Sequence, residues 1–201
     1  MRLLLLVLLS LSTLSLQCCF PVVATGVGVA AFAAADRRSL GAQTEDQELQ
    51  VKAANRMAEQ FGTAQYSVNV NSYNRRLLIT GEAVTEEIKN KLTEIAKSVP
   101  NVAAVVNEVR VAPNSSWTDR NNDAYITTKV KSRFVGEGKG FHANQVKVVT
   151  EAGVVYLMGI VTQAEAEAAV DIARTTTGVQ RVVKVFEYID KVPEPEKTAE
   201  K

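Results

Sequence analysis

The chain has 201 residues, 46% of them hydrophobic, with 23 Lys and Arg against 22 Asp and Glu and a formal net charge of +1. That balance argues against nucleic acid as a partner, because neutralising phosphates needs a basic surface, and against adhesion to anionic lipid by bulk charge. Two cysteines and one histidine leave little material for a disulfide framework, a metal centre or nucleophilic catalysis.

The N-terminus carries Arg2 followed by an apolar run from Leu3 to Leu16, the pattern of a secretory signal peptide. A membrane-spanning helix needs about 20 apolar residues, and this run is shorter. Phe20 to Ala35 is also apolar, but Pro21, Gly26 and Gly28 interrupt it; one long kinked span through both runs is the alternative reading. Cys18 and Cys19 are adjacent, and a disulfide between neighbours is strained and closes no useful loop. Leu16-Gln17-Cys18-Cys19 resembles the bacterial lipobox, with Cys18 in the small-residue place. Residues 1–18 are then a signal peptide and Cys19 the lipidated residue; lipidation of Cys18 instead would put bulky Gln17 in that place. Each buried CH₂ of an acyl chain contributes roughly 0.8 kcal/mol, so two or three chains hold durably. Residues 19–44 read as the lipidated N-terminus and a flexible tether rich in Ala and Gly.

The remainder is organised by an internal duplication. Leu77-Leu78-Ile79-Thr80-Gly81 recurs as Val155-Tyr156-Leu157-Met158-Gly159, and Val68-Asn69-Val70 as Val146-Lys147-Val148. Val105-Val106-Asn107-Glu108-Val109 matches Val182-Val183-Lys184-Val185-Phe186 after a one-residue deletion just beyond the second glycine. Each copy is about 65 residues, small for an autonomous domain but feasible. The domains are placed at 45–112 and 120–190, with a linker at 113–119 and a disordered tail at 191–201, rich in Pro and Glu.

Within each copy the periodicity predicts helix, strand, strand, helix, strand. Val146, Val148 and Thr150 alternate along one strand. Asn74-Arg75-Arg76 and Glu151-Ala152-Gly153 supply the turns, and Thr162-Gln163-Ala164-Glu165 is a capping box. Ile88, Leu92, Ile95 and Ala96 in the first copy, and Ala166, Ala169, Val170 and Ala173 in the second, form apolar stripes at helical spacing. The last strands are expected over 105–111 and 181–189. The fold class is α+β, with a small three-stranded mixed sheet and two helices on one face in each copy. Gly81 and Gly159 end the second strands, where a Cβ would not fit or φ is positive.

Two αββαβ copies, each with a glycine closing the second strand before a Thr-capped helix, resemble BON domains, and the lipobox before them resembles the dual BON-domain outer-membrane lipoproteins. Asp36-Arg37-Arg38-Ser39-Leu40-Gly41-Ala42-Gln43 is similar to that family's segment after the anchor, and Asp123 to Ser132 to the opening of its second domain. The resemblance implies a lipid anchor in the outer membrane facing the periplasm, consistent with Phe20 rather than Asp after the lipidated residue. It implies a non-enzymatic protein that binds anionic phospholipid through the first helix of the second domain. It further implies support of outer-membrane integrity and a link to the β-barrel assembly machinery.

That helix has Ile126, Val130 and Phe134 on one stripe, matching Leu49, Ala53 and Met57 in the first copy. Both stripes suit packing on the sheets. The second copy adds Tyr125, Lys129, Lys131, Arg133 and Val135, an aromatic with flanking cations that suits an interfacial helix. The lipid contacts implied by the resemblance are Tyr125, Val130 and Val135, with Lys129, Lys131 and Arg133 toward phosphates; Val130 fits the core equally. Trp117 fits either the domain interface or a lipid-facing place.

His142 stands alone in a Gly- and Lys-rich loop without the partners a catalytic base needs. No carboxylates lie at metal-ligand spacing, no cofactor or small-molecule substrate is expected, and Gly136-Glu137-Gly138-Lys139-Gly140 follows a helix, unlike a phosphate loop. The competing readings are a protein–protein adaptor of the envelope and a soluble periplasmic chaperone.

Overall fold

The computed structural model describes residues 36–62, 65–112, 117–137 (backbone only for 117–120) and 140–191. The expected signal peptide, Cys18, Cys19 and most of the tether and tail lie outside these residues, as does the Trp117 side chain. In chain order the first domain has α1 (Leu40–Gln60), β1 (Tyr66–Tyr73), β2 (Arg76–Ala83), α2 (Glu86–Lys97), β3 (Ala104–Asn107) and β4 (Arg110–Val111). The second has α3 (Trp117–Glu137), a 3₁₀ turn (Ala143–Gln145), β5 (Val146–Glu151), β6 (Val154–Val161), α4 (Gln163–Arg174) and β7 (Arg181–Tyr188).

Each sheet is mixed. β1 pairs antiparallel with β2, and β3 and β4 pair parallel with β2; β5-β6-β7 repeats the arrangement. The two α+β units are those the duplication predicts, with three differences. The last strand of the first domain is broken between Asn107 and Arg110. Residues 36–44, expected as the end of the tether, are ordered: Ser39 caps α1, its hydroxyl accepting from the Ala42 amide at 3.1 Å. Likewise α3 begins at Trp117, inside the expected linker.

Two cores form between sheet and helices. Leu49, Ala53 and Met57 of α1 join Leu77, Ile79, Ile88 and Leu92 in the first. Ile126, Val130 and Phe134 of α3 join Val155, Leu157, Ala169 and Phe186 in the second. Burying one such large side chain contributes about 1.5–3 kcal/mol. The hairpins turn on two residues, both with positive φ: Asn74 (50°) and Arg75 (61°), then Ala152 (50°) and Gly153 (74°). These are the primed turns that match strand twist, yet only one of the four residues is glycine.

An aspartate from each first helix compensates. Asp46 accepts the amides of Asn74 (2.7 Å) and Arg75 (2.8 Å), and Asp123 those of Ala152 (2.7 Å) and Gly153 (2.8 Å). Charge-assisted bonds of this kind are the stronger class, and they tie each helix to the hairpin it covers.

Gly81 and Gly159 lie two residues inside the ends of β2 and β6, which run on to Ala83 and Val161, and not at the strand ends as expected. Gly81 has φ of 116°, and a Cβ there would lie 2.1 Å from the Ser67 carbonyl oxygen; at Gly159 it would lie 2.4 Å from that of Gln145. Gly62 has open space around it. Gly81→Ala and Gly159→Ala are therefore expected to cost roughly 2–3 kcal/mol each through backbone clash and strain, and Gly62→Ala close to nothing. Urea unfolding of the three variants measures this; equal midpoints would remove the close-approach explanation.

Candidate functional site

The first helix of the second domain is built to show one face to solvent. Asp123 pins its start to the β5–β6 turn, and Phe134 packs edge-on against Phe141 at 5.1 Å between ring centroids near its end. With Ile126, Val130 and Phe134 turned inward, the opposite face carries Tyr125 at 60% and Val135 at 74% exposure. Ten residues of helix separate them by about 15 Å.

The expected lipid contacts divide into two groups. Tyr125, Lys131 and Val135 are exposed, and Lys129 places its ammonium 4.4 Å from the Tyr125 ring centre, within cation–π range. Val130 is fully buried, which corrects its assignment as a lipid contact. Its place at i+4 from Ile126 and i−4 from Phe134 puts it on the sheet. Arg133 is half-buried and already engaged. Its guanidinium donates to the Ile172 carbonyl (2.8 Å), to the Thr175 and Thr176 hydroxyls (3.1 and 2.8 Å) and to Glu137 (2.8 and 3.0 Å). It satisfies the Ile172 carbonyl in the last turn of α4. The hydrogen bond raises the Arg133 pKa and lowers that of Glu137.

The other faces of the two sheets meet. Both domains lie in one compact unit, and Tyr73 and Leu78 of the first join Tyr156, Met158 and Val185 of the second in a third apolar cluster. β2 and β6 are thus covered on both sides, by helices and by the partner sheet. Polar bonds edge this contact. Glu151 accepts from Asn69 (3.0 Å) and Thr80 (3.2 Å), Glu187 from Asn74 (2.7 Å), and the Gln145 carbonyl from the Tyr73 hydroxyl (3.3 Å). Lys147 donates to Gln50 (3.2 Å) and the Ser72 carbonyl (3.3 Å). Burial pushes the Glu151 carboxyl up and lowers Lys147 to about 8, with Arg38 adding to the effect on Lys147.

The segment ahead of α1 fastens this contact. Arg37 forms a forked pair with Glu165 (2.7 and 2.8 Å) and donates to the Ile160 carbonyl (2.7 Å), with both side chains under a tenth exposed. The same Glu165 closes the capping box of α4 by accepting the Thr162 amide at 2.8 Å. Burial works against its charge, but these bonds outweigh it and hold Glu165 below the usual carboxylate range. Arg38 pairs with Asp36 and Asp46 (2.8 Å each) and lies 3.8 Å over the Tyr73 ring. Burial opposes the Asp46 charge too, and bonds from Ser72, the Arg75 amide and Arg38 overcome it. One arginine thus grips the second domain and its neighbour the first.

Sequence reasoning missed Asp46, Asp123, Arg37, Arg38 and Glu165 as linking residues. The signal for the aspartates was present: each stands three positions before its buried stripe, at Leu49 and Ile126. For the interface it was the consecutive apolar residues Leu77–Ile79 in β2 and Val154–Met158 in β6, which mark strands buried on both faces.

Among the described residues no group of three or more His, Cys, Asp or Glu is placed to hold a metal ion, and no helix is long and apolar enough to cross a membrane. His142 is exposed beside the 3₁₀ turn.

A BON-domain family model matches residues 45–113 and 122–190. The chain is 40% identical over 180 residues to the outer membrane lipoprotein DolP of Haemophilus influenzae, covering 89% of this chain and 93% of that protein. It is 32% identical over 155 residues to the 21 kDa hemolysin of Actinobacillus pleuropneumoniae, covering 77% and 79%. A structure of CdsD, from the Type III secretion system of Chlamydia trachomatis, aligns at 14% identity over 71% of this chain and 92% of that one, with a TM-score of 0.28.

Two outcomes follow from the clamp and the interface. Arg37→Ala leaves Glu165 buried without its counter-ion and is expected to cost roughly 3 kcal/mol, with faster amide exchange over Ile160–Thr162; unchanged exchange would dissociate the segment from domain docking. Lys147 has its folded pKa below its ordinary 10.5, so the unfolded chain binds more protons and stability rises with pH between about 8 and 10.5. Urea unfolding at pH 7.5 and 9.5 is expected to show that rise, and Lys147→Gln to flatten it.

Proposed function

The chain belongs to the BON-domain family, and from that premise we propose that it is a non-enzymatic lipoprotein, acylated at Cys19 and held at the periplasmic face of the outer membrane, that recognises anionic phospholipid through α3. The observation that carries this reading is the outward face of α3. An exposed aromatic and an exposed valine stand at its two ends, Tyr125 and Val135, with Lys129 and Lys131 between them. An aromatic ring settles near headgroups, a small apolar side chain enters the acyl boundary, and lysine stems extend their charge to phosphate.

The name of the Haemophilus relative and the lipobox support the anchor and its location. Support of outer-membrane integrity and of β-barrel assembly is part of the reading and rests on the resemblance to that family.

The mechanism is bivalent. A helix face with two apolar contacts and two lysines binds weakly alone. Tethering by the acyl anchor turns that encounter into an intramolecular one, and effective concentration multiplies the two affinities. Because Arg37 and Arg38 hold the end of the tether against both domains, the reach that counts is that of the residues before Asp36.

The test is cosedimentation of residues 36–191 with phosphatidylglycerol vesicles at low salt. Tyr125→Glu with Val135→Glu is expected to lower binding about tenfold or more, and Lys131→Ala by a smaller factor that shrinks as salt rises. Arg133→Ala is expected to spare vesicle binding and instead lower stability by about 1 kcal/mol, through the lost α4 contacts. Unchanged binding by the double variant would refute α3 as the lipid site.

A further inference from the structure

The two domains are duplicates, and they differ most informatively where the last strand runs beside the second helix. In the first domain this gap is closed. The Asn107 amide donates to the Lys89 carbonyl (2.8 Å) and the Thr93 hydroxyl (2.6 Å) of α2, and its oxygen accepts the Val109 amide (2.9 Å). The same residue breaks the strand, so β3 and β4 together present only a short, interrupted edge. Such interruption is a common way to blunt a sheet edge.

The second domain lacks all of this. Lys184 stands where Asn107 does and Val170 where Thr93 does, so no bond crosses the gap. A groove of about 450 Å³ opens between α4 and β7, lined by Ala166, Glu167, Val170, Asp171, Lys184 and Tyr188. β7 itself is a continuous strand of eight residues, paired in register with β6 along its full length. Its other edge pairs with no strand among the described residues.

Charged side chains often protect an exposed edge, but here they point elsewhere. Arg181 faces Glu108 (3.7 Å) and Glu187 accepts from Asn74 (2.7 Å), both in the first domain. Lys184 lines the groove without a hydrogen bond or ion pair among the described residues. Tyr188 is 49% exposed at the groove's end.

We propose that the outer edge of β7, with the groove between it and α4, takes an extended segment of a partner protein by strand addition. The row of main-chain donors and acceptors along an open edge is matched by another extended backbone, which supplies affinity, while the groove reads alternate side chains. Lys184 calls for an acidic residue facing the groove and Tyr188 for an apolar one four positions along. On the helix wall Asp171 pairs with Arg174 (2.8 Å), and Glu167 accepts from the neutral Gln163 amide (2.9 Å) and keeps its charge; among the described residues neither carboxylate forms an ion pair with Lys184. The site is separate from the membrane reading: on the shared helix face α3 lies over β5, and α4 over β6 and β7 toward the opposite edge.

The test uses the full-length protein in detergent micelles and fluorescent ten-residue peptides that carry Glu and, four positions along on the same face, Val, with Thr and Ser elsewhere. Fluorescence anisotropy is expected to show saturable binding. Methylating alternate peptide nitrogens, which removes main-chain donors, is expected to weaken it about tenfold or more. The variant V170T/K184N, which copies Thr93 and Asn107, is expected to weaken it as much while leaving phosphatidylglycerol cosedimentation unchanged. Should the variant fail to fold, the methylated peptides still decide. Absence of saturable binding, or equal binding of methylated peptides, overturns the proposal, since detergent or acyl chains in the groove would be blind to methylation. Dimerisation that the peptides compete with overturns it in favour of a second copy of this chain.

Discussion

A three-stranded sheet with helices on one side has a second face that must meet either water or another apolar surface. In this protein each domain solves that problem for the other. Leu78 and Tyr73 cannot be satisfied by α1 or α2, because strand pleating sends alternate residues to the opposite side; they are buried against Tyr156, Met158 and Val185. With the second faces joined, the helices of each domain are left on its outer face.

Apolar area alone does not orient two sheets, and here the direction is set by charge. Burying ions costs several kcal/mol each unless geometry and extra hydrogen bonds compensate. Arg37 meets that demand with a forked pair to Glu165 and a bond to the Ile160 carbonyl, and Arg38 with two carboxylates and the Tyr73 ring. Such bonds form in one arrangement only. Because both arginines lie just before α1, the segment that follows the expected anchor is also the one that fixes how the domains sit together.

The duplication shows one scaffold carrying two sets of duties. What both copies keep is mechanical: an aspartate over a strained hairpin turn, a glycine where backbones approach, a threonine cap. What differs lies at the surface. The first copy closes its strand–helix gap with Asn107; the second leaves it open at Lys184. The second copy sets Tyr125 and Val135 outward on α3, where the first exposes Leu40 and Val51 on α1. Function in such a pair is read from the differences, since the shared residues answer to packing.

Much of this was legible in one dimension. Periodicity of 3.6 and 2 separates helices from strands, and a repeat at near-constant spacing assigns two domains of one type, because each copy must bury its own stripe. The capping box at Thr162 and the glycines at 81 and 159 also follow from local chemistry. Tertiary structure alone decided matters that depend on which residues distant in the chain come together. Val130 has the same apolar character whether it meets lipid or sheet, and only packing turned it inward. Arg133 reads as a free cation until the end of α4 brings the Ile172 carbonyl and two threonine hydroxyls alongside. Glu165 reads as half of a capping box until Arg37, 128 positions earlier, completes it. Local order is encoded in neighbouring residues, whereas the desolvation of a charge or of a second sheet face depends on surfaces that exist only once the chain has folded.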